Sequence, residues 1–350
     1  MSPIHYHNQQ YPLLQGKTLF DYADDLKVRV PTSCGRNGQC HECIVEVLRG
    51  GDSLNSPTEA EVFLRGDYRL ACQATVLDTD SDVEFSILQR EPKILTHSIH
   101  HDFPICPLTN RQGNTVFFDN QKLDQYRGYL HGLAIDIGTT TVAMNLADLA
   151  SGKILWTTSF ENPQRFGGSD IMHRISYDGG DFHGELQKAI VSTVNAEITA
   201  MSRQANLSYR TIYEVVIVGN STMRDIFFGI NVQPIGERPY KSTTQLDLES
   251  GRQETTVIEI SGKNLGLRVF PDAKVYGGPL IGCHIGADVA ADLLAVGMDE
   301  LENVVAVVDV GTNTEVVVGN RHRMMAASCP AGPAFEGGHI LHGMHGYKGA

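Results

Sequence analysis

At 350 residues the chain can support two or three hydrophobic cores, and its formal charge of −13 argues against a nucleic-acid binder, which needs clustered Lys and Arg to displace counterions. With 41% hydrophobic and 20% charged residues it has the composition of a soluble globular protein, and no run of about 18 apolar residues is present to cross a membrane. The first ten residues are polar with no apolar run of a secretion signal, and seven cysteines are an odd number for a disulfide framework, so a cytoplasmic, reduced protein is expected.

In chain order, Leu19–Leu26 carries apolar residues at helical spacing, and Ile44–Leu48 reads as a strand ended by Gly50-Gly51. Thr58–Leu64 reads as a short helix after Pro57, and Val83–Leu88 as a closing strand. This mix over residues 1–90 suits a small α+β domain. Asp52–Glu91 holds nine acidic but only three basic residues, which fits either an acidic docking surface for a redox partner or a solvated face. Residues 91–129 contain Pro92, Pro104 and Pro107, show no sustained periodicity and read as a linker. From residue 130 to 350 the pattern becomes β-α-β. Apolar strands fall at Leu133–Ile137, Val215–Val218 and Val304–Val310, with helices at Gly184–Arg203 and Gly286–Val296 between them.

Cys34, Cys40, Cys43 and the distant Cys72 supply the soft thiolates an iron–sulfur cluster requires. Gly35 and Gly38, with Asn37 and Gln39 beside them, would let the loop turn and aim N–H groups at sulfur. The same residues are compatible with a four-thiolate zinc site or with free thiols, although zinc ribbons normally use two C-x2-C knuckles and Cys72 stands alone. Cys106, Cys283 and Cys329 lack partner spacing and read as buried thiols. The stretches Pro31–Cys43 and Tyr68–Gln73 together resemble the [2Fe–2S] ferredoxin domain of β-grasp fold, with an adrenodoxin-type first gap. On that resemblance the four cysteines are the cluster ligands. His41-Glu42 stands where related activators commonly have Gly-Lys, a change that would act on cluster potential or docking charge.

The segment Ala134–Val142, with Asp136-Ile137-Gly138-Thr139-Thr140-Thr141 at its centre, is repeated as Val307–Glu315, with Asp309-Val310-Gly311-Thr312-Asn313-Thr314. Each is an apolar strand, an Asp, a Gly-Thr turn and a second strand; two copies imply two related halves. A phosphate chain needs converging N–H and hydroxyl donors and a carboxylate for the water shell of Mg²⁺, and each hairpin supplies them. The pair resembles the phosphate-1 and phosphate-2 motifs of the acetate kinase, sugar kinase, Hsc70 and actin superfamily, an α/β (RNase H-like) fold whose two lobes clamp ATP. The resemblance implies ATP and Mg²⁺ at Asp136, Gly138, Thr139, Thr140 and Thr141 of lobe I (about 130–300) and at Asp309, Gly311, Thr312 and Asn313 of lobe II (from about 301). Glu315 reads either as a water-orienting carboxylate or as a hairpin-surface residue.

Val216–Met223 is a strand ending in a Gly-Asn turn before an N-capped helix. Gly282–Ala291 reads as a small-residue helix at a lobe hinge, and Pro330–Gly338 as a rigid loop. Together with Asn162-Pro163-Gln164 and Gly168–Ile175 they resemble reductive activators of corrinoid-dependent enzymes. That family couples a [2Fe–2S] domain to an ATPase of this superfold. Larger members carry an extra domain where about forty residues stand here.

The resemblance implies ATP-dependent reduction of Co(II) to Co(I) in a corrinoid protein or corrinoid-dependent methyltransferase. An upstream electron donor would supply the cluster, and neither nucleic acid nor membrane would be a partner. Two alternatives are a ferredoxin-type carrier without ATPase activity and a metabolite kinase with a fused redox sensor. Only 35 residues follow Glu315, so lobe II is expected to be incomplete and the chain alone to bind ATP weakly or not at all, which leaves its standing as an enzyme open.

Overall fold

The structure, a computed structural model, describes residues 2–7, 9–28, 30–87, 105–282 and 284–329. The loop expected at Pro330–Gly338, Cys283 and the first part of the expected linker lie outside the described residues.

The N-terminal domain is a five-stranded mixed sheet in the order β2-β1-β5-β3-β4, formed by β1 (Pro3–Tyr6), β2 (Gln9–Pro12), β3 (Ile44–Arg49), β4 (Tyr68–Leu70) and β5 (Val83–Ile87). The two end strands of the domain, β1 and β5, run parallel; the other pairs are antiparallel. Helix α1 (Leu19–Asp25) starts at a capping box. The Thr18 hydroxyl accepts the Asp21 N–H at 3.1 Å, and the Asp21 carboxylate accepts the Thr18 N–H at 2.9 Å. Leu19, Phe20, Tyr22 and Ala23 of α1 are buried in one core with Ile4, Val45, Val47, Leu70 and Phe85 of the strands. That is the β-grasp arrangement.

The helix expected over Thr58–Leu64 is a single 3-10 turn, Glu59–Glu61, because its glutamate turns inward. Glu61 is 2% exposed; its carboxylate accepts from Arg69 Nε at 2.8 Å and from the N–H groups of Thr58 and Leu70 at 2.7 and 2.9 Å. Burial alone would raise its pKa, but Arg69 and the two amides hold the carboxyl below its usual range. This buried pair anchors the strand that leads into Cys72.

The stretch read as a linker holds a three-stranded antiparallel meander, β6 (Thr109–Gln112), β7 (Thr115–Phe118) and β8 (Gln121–Gln125). Only Val116 of its strands joins a buried core, so hydrophobic alternation is too sparse to register as strand. Contact with lobe I stabilises it: the Tyr213 hydroxyl donates to Asp124 at 3.0 Å, and the Lys274 ammonium stands 5.6 Å above the Phe118 ring.

Lobe I is a six-stranded sheet in the order β11-β10-β9-β12-β14-β13. Its strands are β9 (His131–Ile137), β10 (Thr141–Asp148), β11 (Ile154–Glu161), β12 (Ile212–Gly219), β13 (Ile258–Ser261) and β14 (Lys274–Gly277). An antiparallel meander β9–β11 is extended by β12 and β14, each parallel to its inner neighbour. Helices α2 (Ile171–Asp178), α3 (Glu185–Gln204) and α4 (Ser221–Phe228) pack on it. Three short helices, α5 (Gln233–Gly236), α6 (Thr243–Glu249) and α7 (Gly262–Leu265), lie between β12 and β14. Helix α3 turns Leu186, Ile190, Val194, Ile198 and Met201 inward at spacings of four, four, four and three.

Lobe II is represented by an antiparallel sheet, β15 (Val305–Val310), β16 (Thr314–Asn320) and β17 (Arg323–Cys329). Helix α8 (Ala287–Ala295) covers one face, with Val289, Met298 and Val317 as its small core. The opposite face presents Val308, Val318 and Met325 to solvent. Cys106 and Cys329, expected to be buried, are exposed, because one precedes β6 in an extended segment and the other ends a strand at the surface.

Candidate functional site

The loop from Cys34 to Cys43 leaves the core just before β3, and Cys72 follows β4, so antiparallel pairing of Ile44 with Leu70 brings the two ends together. Cys43 and Cys72 are buried with sulfurs 3.4 Å apart, whereas Cys34 and Cys40 are half-buried and hydrogen-bonded to each other. Gly35 and Gly38 adopt φ of +68° and +83°, and a Cβ at Gly38 would stand 2.9 Å from that of Ala60. Burial acts to raise the Cys34 pKa, but N–H groups of Cys40, Asn37 and Gln39 aimed at its sulfur hold the thiol at about 6. Cys72 is also held at about 6, first by the Cys43 thiol and then, against burial, by the Gln73 amide at 3.3 Å and the Gly38 N–H; Cys43 is correspondingly raised.

Two thiol pairs with amides converging on the sulfurs are a donor set that fits an iron–sulfur cluster. Among the described residues no three His, Cys, Asp or Glu groups gather tightly enough for a single ion, and the cysteines stand as two pairs. His41 and Glu42 each find a partner. Glu42 accepts from Ser33 Oγ at 2.8 Å, and His41 reaches Glu185 of lobe I at 2.8 Å.

The two repeated hairpins meet across the lobes: the hydroxyls of Thr140 and Thr312 are 2.8 Å apart. Gly138 N–H bonds back to Thr141 C=O at 2.9 Å, and a Cβ on Gly138 would lie 2.6 Å from that oxygen. Thr139 is buried, with its hydroxyl accepting from Asn220 Nδ2 at 3.1 Å. Asn220 also caps α4 through the Met223 N–H at 3.0 Å.

The second hairpin is one residue tighter. Val310 pairs with Thr314, whereas Ile137 pairs with Val142. That shift sets Glu315 directly across from Asp309, with Ser328 next in the row, while Asp136 faces Ala143. Ser328 Oγ donates to the buried Glu315 carboxylate at 2.9 Å. The expected Thr140 and Thr312 touch, and Asp136 and Glu315 each lie near enough to Asp309 to feel its charge; Thr139 is beside them, with Gly138, Thr141, Gly311 and Asn313 in the hairpin turns.

Two more carboxylates enter from α8. Gly286 lets the start of this helix press on the end of β12: a Cβ there would lie 2.3 Å from the Gly219 carbonyl. In the first and second turns of α8, Asp288 and Asp292 lie near enough to feel the hairpin carboxylates. Burial, with the charges of Asp136, Glu315 and Asp309, pushes Asp288 up to about 8. Asp292 is pushed to about 7, by burial first and then by Asp309, Asp136 and Glu315. Asp136 is solvent-exposed; the protein packed around its carboxyl, and then the charge of Asp309, raise its pKa to about 6. Asp309 and Glu315 are raised as well, mainly by burial. On sequence alone Gly282–Ala291 reads as a small-residue helix at a lobe hinge. The signal for a second role is two aspartates four residues apart on an alanine-rich helix with no Lys or Arg at i±3 or i±4.

Five carboxylates thus lie near one another beside hydroxyl and amide donors, although they are not drawn tightly enough to ligate one ion directly. They also make stability pH-dependent. The folded chain holds protons that the unfolded chain, with Asp near 3.8, has released. These raised groups favour folding most at low pH, and that contribution is lost as pH rises through about 6 to 8. Thermal unfolding without divalent cations is expected to show stability falling between about pH 6 and 8.5. The loss should be on the order of 1–3 kcal/mol after solvent screening, given about 1.4 kcal/mol per pK unit. Asp292→Asn should flatten the slope; a stability that rises over this range contradicts the account.

A ferredoxin-type thiol site joined to a lobe bearing paired Asp-Gly-Thr hairpins defines the class: an iron–sulfur domain followed by an ASKHA-type domain. Family models agree. The 2Fe-2S iron-sulfur cluster binding domain matches residues 6–77, the RACo middle region 131–301, and the C-terminal ASKHA domain of RACo 303–350. All three segments match in order, and the chain is similar to the corrinoid activation enzyme RamQ of Eubacterium limosum, 34% identical over 91% of its length. It is 23% identical, over 63% of its length, to the [Co(II) methylated amine-specific corrinoid protein] reductase of Methanosarcina barkeri. The chain spans 58% and 40% of these two relatives. The solved structure of a reductive activator for corrinoid, iron-sulfur protein matches the whole chain, covers it with 66% of its own length, and shares its fold with a TM-score of 0.61 at 23% identity.

Proposed function

We propose that the chain reduces the cobalt of a corrinoid protein, Co(II) to Co(I), in a process gated by nucleotide between the two hairpins. What carries the reading is the pairing, in one chain similar to RamQ, of a cysteine set for an iron–sulfur cluster with two facing Asp-Gly-Thr hairpins. A [2Fe–2S] cluster held by Cys34, Cys40, Cys43 and Cys72 supplies a one-electron couple. The protein around that site lowers the Cys34 thiol with N–H groups and the Cys72 thiol through Cys43 and Gln73, and buries the Cys43–Cys72 side. An upstream donor protein recharges it.

Where the hairpins meet, Asp136, Asp309 and Glu315, joined by Asp288 and Asp292, would hold the water shell of Mg²⁺. Thr139, Thr140, Thr141, Gly138, Gly311, Thr312 and Asn313 receive the phosphates of ATP. Because the hairpins touch through Thr140 and Thr312, a phosphate chain must part them, and that movement is the means by which ATP favours the reducible state of the partner.

The test mixes the reduced protein, MgATP and a Co(II) corrinoid protein and follows the Co(II) paramagnetic signal. The signal should decay with ATP and persist with Asp309→Asn; an undiminished signal in the complete mixture rejects the proposal. The same Thr140–Thr312 contact gives a second reading some footing, a ferredoxin-type carrier that works without nucleotide. Decay at one rate with and without ATP would select it.

A further inference from the structure

The ferredoxin-type domain and lobe I meet along a seam that centres on a 3-10 helix, Pro163–Gly167, capped by Asn162. One end of this segment belongs to the first phosphate hairpin. Asn162 is fully buried; its amide donates to Thr140 C=O at 2.7 Å, and its side-chain Nδ2 donates to Gly138 C=O at 2.7 Å. The other end belongs to the ferredoxin-type domain. The Phe166 ring stands edge-on to Phe63 at 5.7 Å and to Tyr177 at 5.6 Å, and Arg165, ion-paired with Glu161, lies 3.8 Å from Glu46 of β3.

The segment is wedged. Gln164 is fully buried and donates to Leu186 C=O at 3.3 Å, and a Cβ on Gly167 would stand 2.6 Å from the Leu186 side chain. Phe63 is where the cluster loop bears on the seam. Its carbonyl accepts from Tyr177 Oη at 2.6 Å. Its ring stacks at 4.1 Å on His41, the residue after Cys40, which itself bonds Glu185 at the start of α3.

We infer that residues 162–167 are the coupling element between the phosphate hairpin and the cluster-bearing domain. A close-packed single turn bonded at both ends transmits displacement and does not absorb it, because its neighbours leave no space for it to deform. Parting of Gly138 and Thr140 by a phosphate is passed through Asn162 and Phe166 to Phe63 and the cluster loop. By reciprocity, docking of that domain is felt at the hairpin. The inference rests on the reading of the hairpin as a phosphate seat, but its test needs neither nucleotide nor cobalt.

The experiment is hydrogen–deuterium exchange on the cluster-loaded protein. Tyr177→Phe, Glu185→Gln and Phe166→Leu each loosen the domain side. Each should speed exchange in peptides containing the Gly138 and Asn162 amides about tenfold, within the roughly 5–150-fold range of site-to-site coupling. Strands β13 and β14 should keep their rates. Conversely, Asn220→Ala, which removes the brace on Thr139, should speed exchange in the peptide spanning residues 61–65. Tyr213→Phe, on the meander side of lobe I, serves as the control and should move neither peptide. The inference is overturned if the seam variants leave the hairpin amides unchanged, or if they accelerate β13 and β14 equally. Loss of corrinoid reduction with the exchange coupling intact would reject the proposed function alone.

Discussion

Replacing Cys72 with alanine is expected to remove the iron–sulfur cluster altogether, seen as loss of iron, sulfide and visible absorption from the purified chain. Cys34, Cys40 and Cys43 lie on one loop, and Cys72 alone ties that loop to the far side of the domain. It is buried 3.4 Å from Cys43, and its sulfur is lowered to about 6 by the Cys43 thiol, the Gln73 amide and the Gly38 N–H. Without it Cys43, buried in the domain core, loses its paired sulfur. A group bound only by the folded state also stabilises that state, so the variant should unfold more easily. Cys106→Ala, at an exposed thiol, is the control and should keep full iron content. A Cys72→Ala protein with undiminished iron would show that the ligand set is misassigned.

Arg224→Ala is expected to destabilise lobe I by about 3–5 kcal/mol, the usual cost of leaving one partner of a buried ion pair uncompensated. Arg224 and Asp225 are both completely buried. The guanidinium bonds the Asp225 carboxylate at 2.8 Å, the carbonyls of Thr256 and Gly278 at 2.9 and 2.7 Å, and the Thr244 hydroxyl at 2.9 Å. Burial already raises Asp225 to about 6 against the pull of Arg224, so loss of the arginine leaves the carboxyl protonated at neutral pH and two carbonyls unpaired. Replacing the pair together by apolar residues should cost less than Arg224→Ala alone. Urea unfolding reads both; a loss under about 1 kcal/mol for the single variant would contradict this account. Helix α4 also carries the cap residue Asn220, so loosening should extend to Thr139 and weaken whatever the hairpin binds.

Much of this is legible before folding is considered. The cysteine spacing, the repeated Asp-Gly-Thr hairpin and the apolar runs at 133–137, 215–218 and 304–310, which fall within or largely overlap β9, β12 and β15, are local patterns that follow from side-chain periodicity and turn chemistry. The Gly-Asn turn at 219–220 likewise states its own helix cap. The meander at 109–125 was not legible, because its strands are short and borrow their burial from Tyr213 and Phe270 of another element. The exposure of Cys106 and Cys329 was missed for the same reason: burial belongs to neighbours and not to residue type.

The sequence by itself determined the groups available: four thiols, and two hairpins of hydroxyls and carboxylates. Three of the thiols and the residues of each hairpin sit close together along the chain in a loop or a turn, so their spacing is visible in one dimension. The tertiary structure alone decided how the parts are joined. A one-residue difference in turn length put Glu315 across from Asp309. A glycine contact at Gly286 brought Asp288 and Asp292 near both hairpins, and Asn162 and Phe166 set the phosphate hairpin and the cluster domain on opposite ends of one short helix. These juxtapositions link residues far apart in sequence and are set by packing, which depends on every neighbour at once.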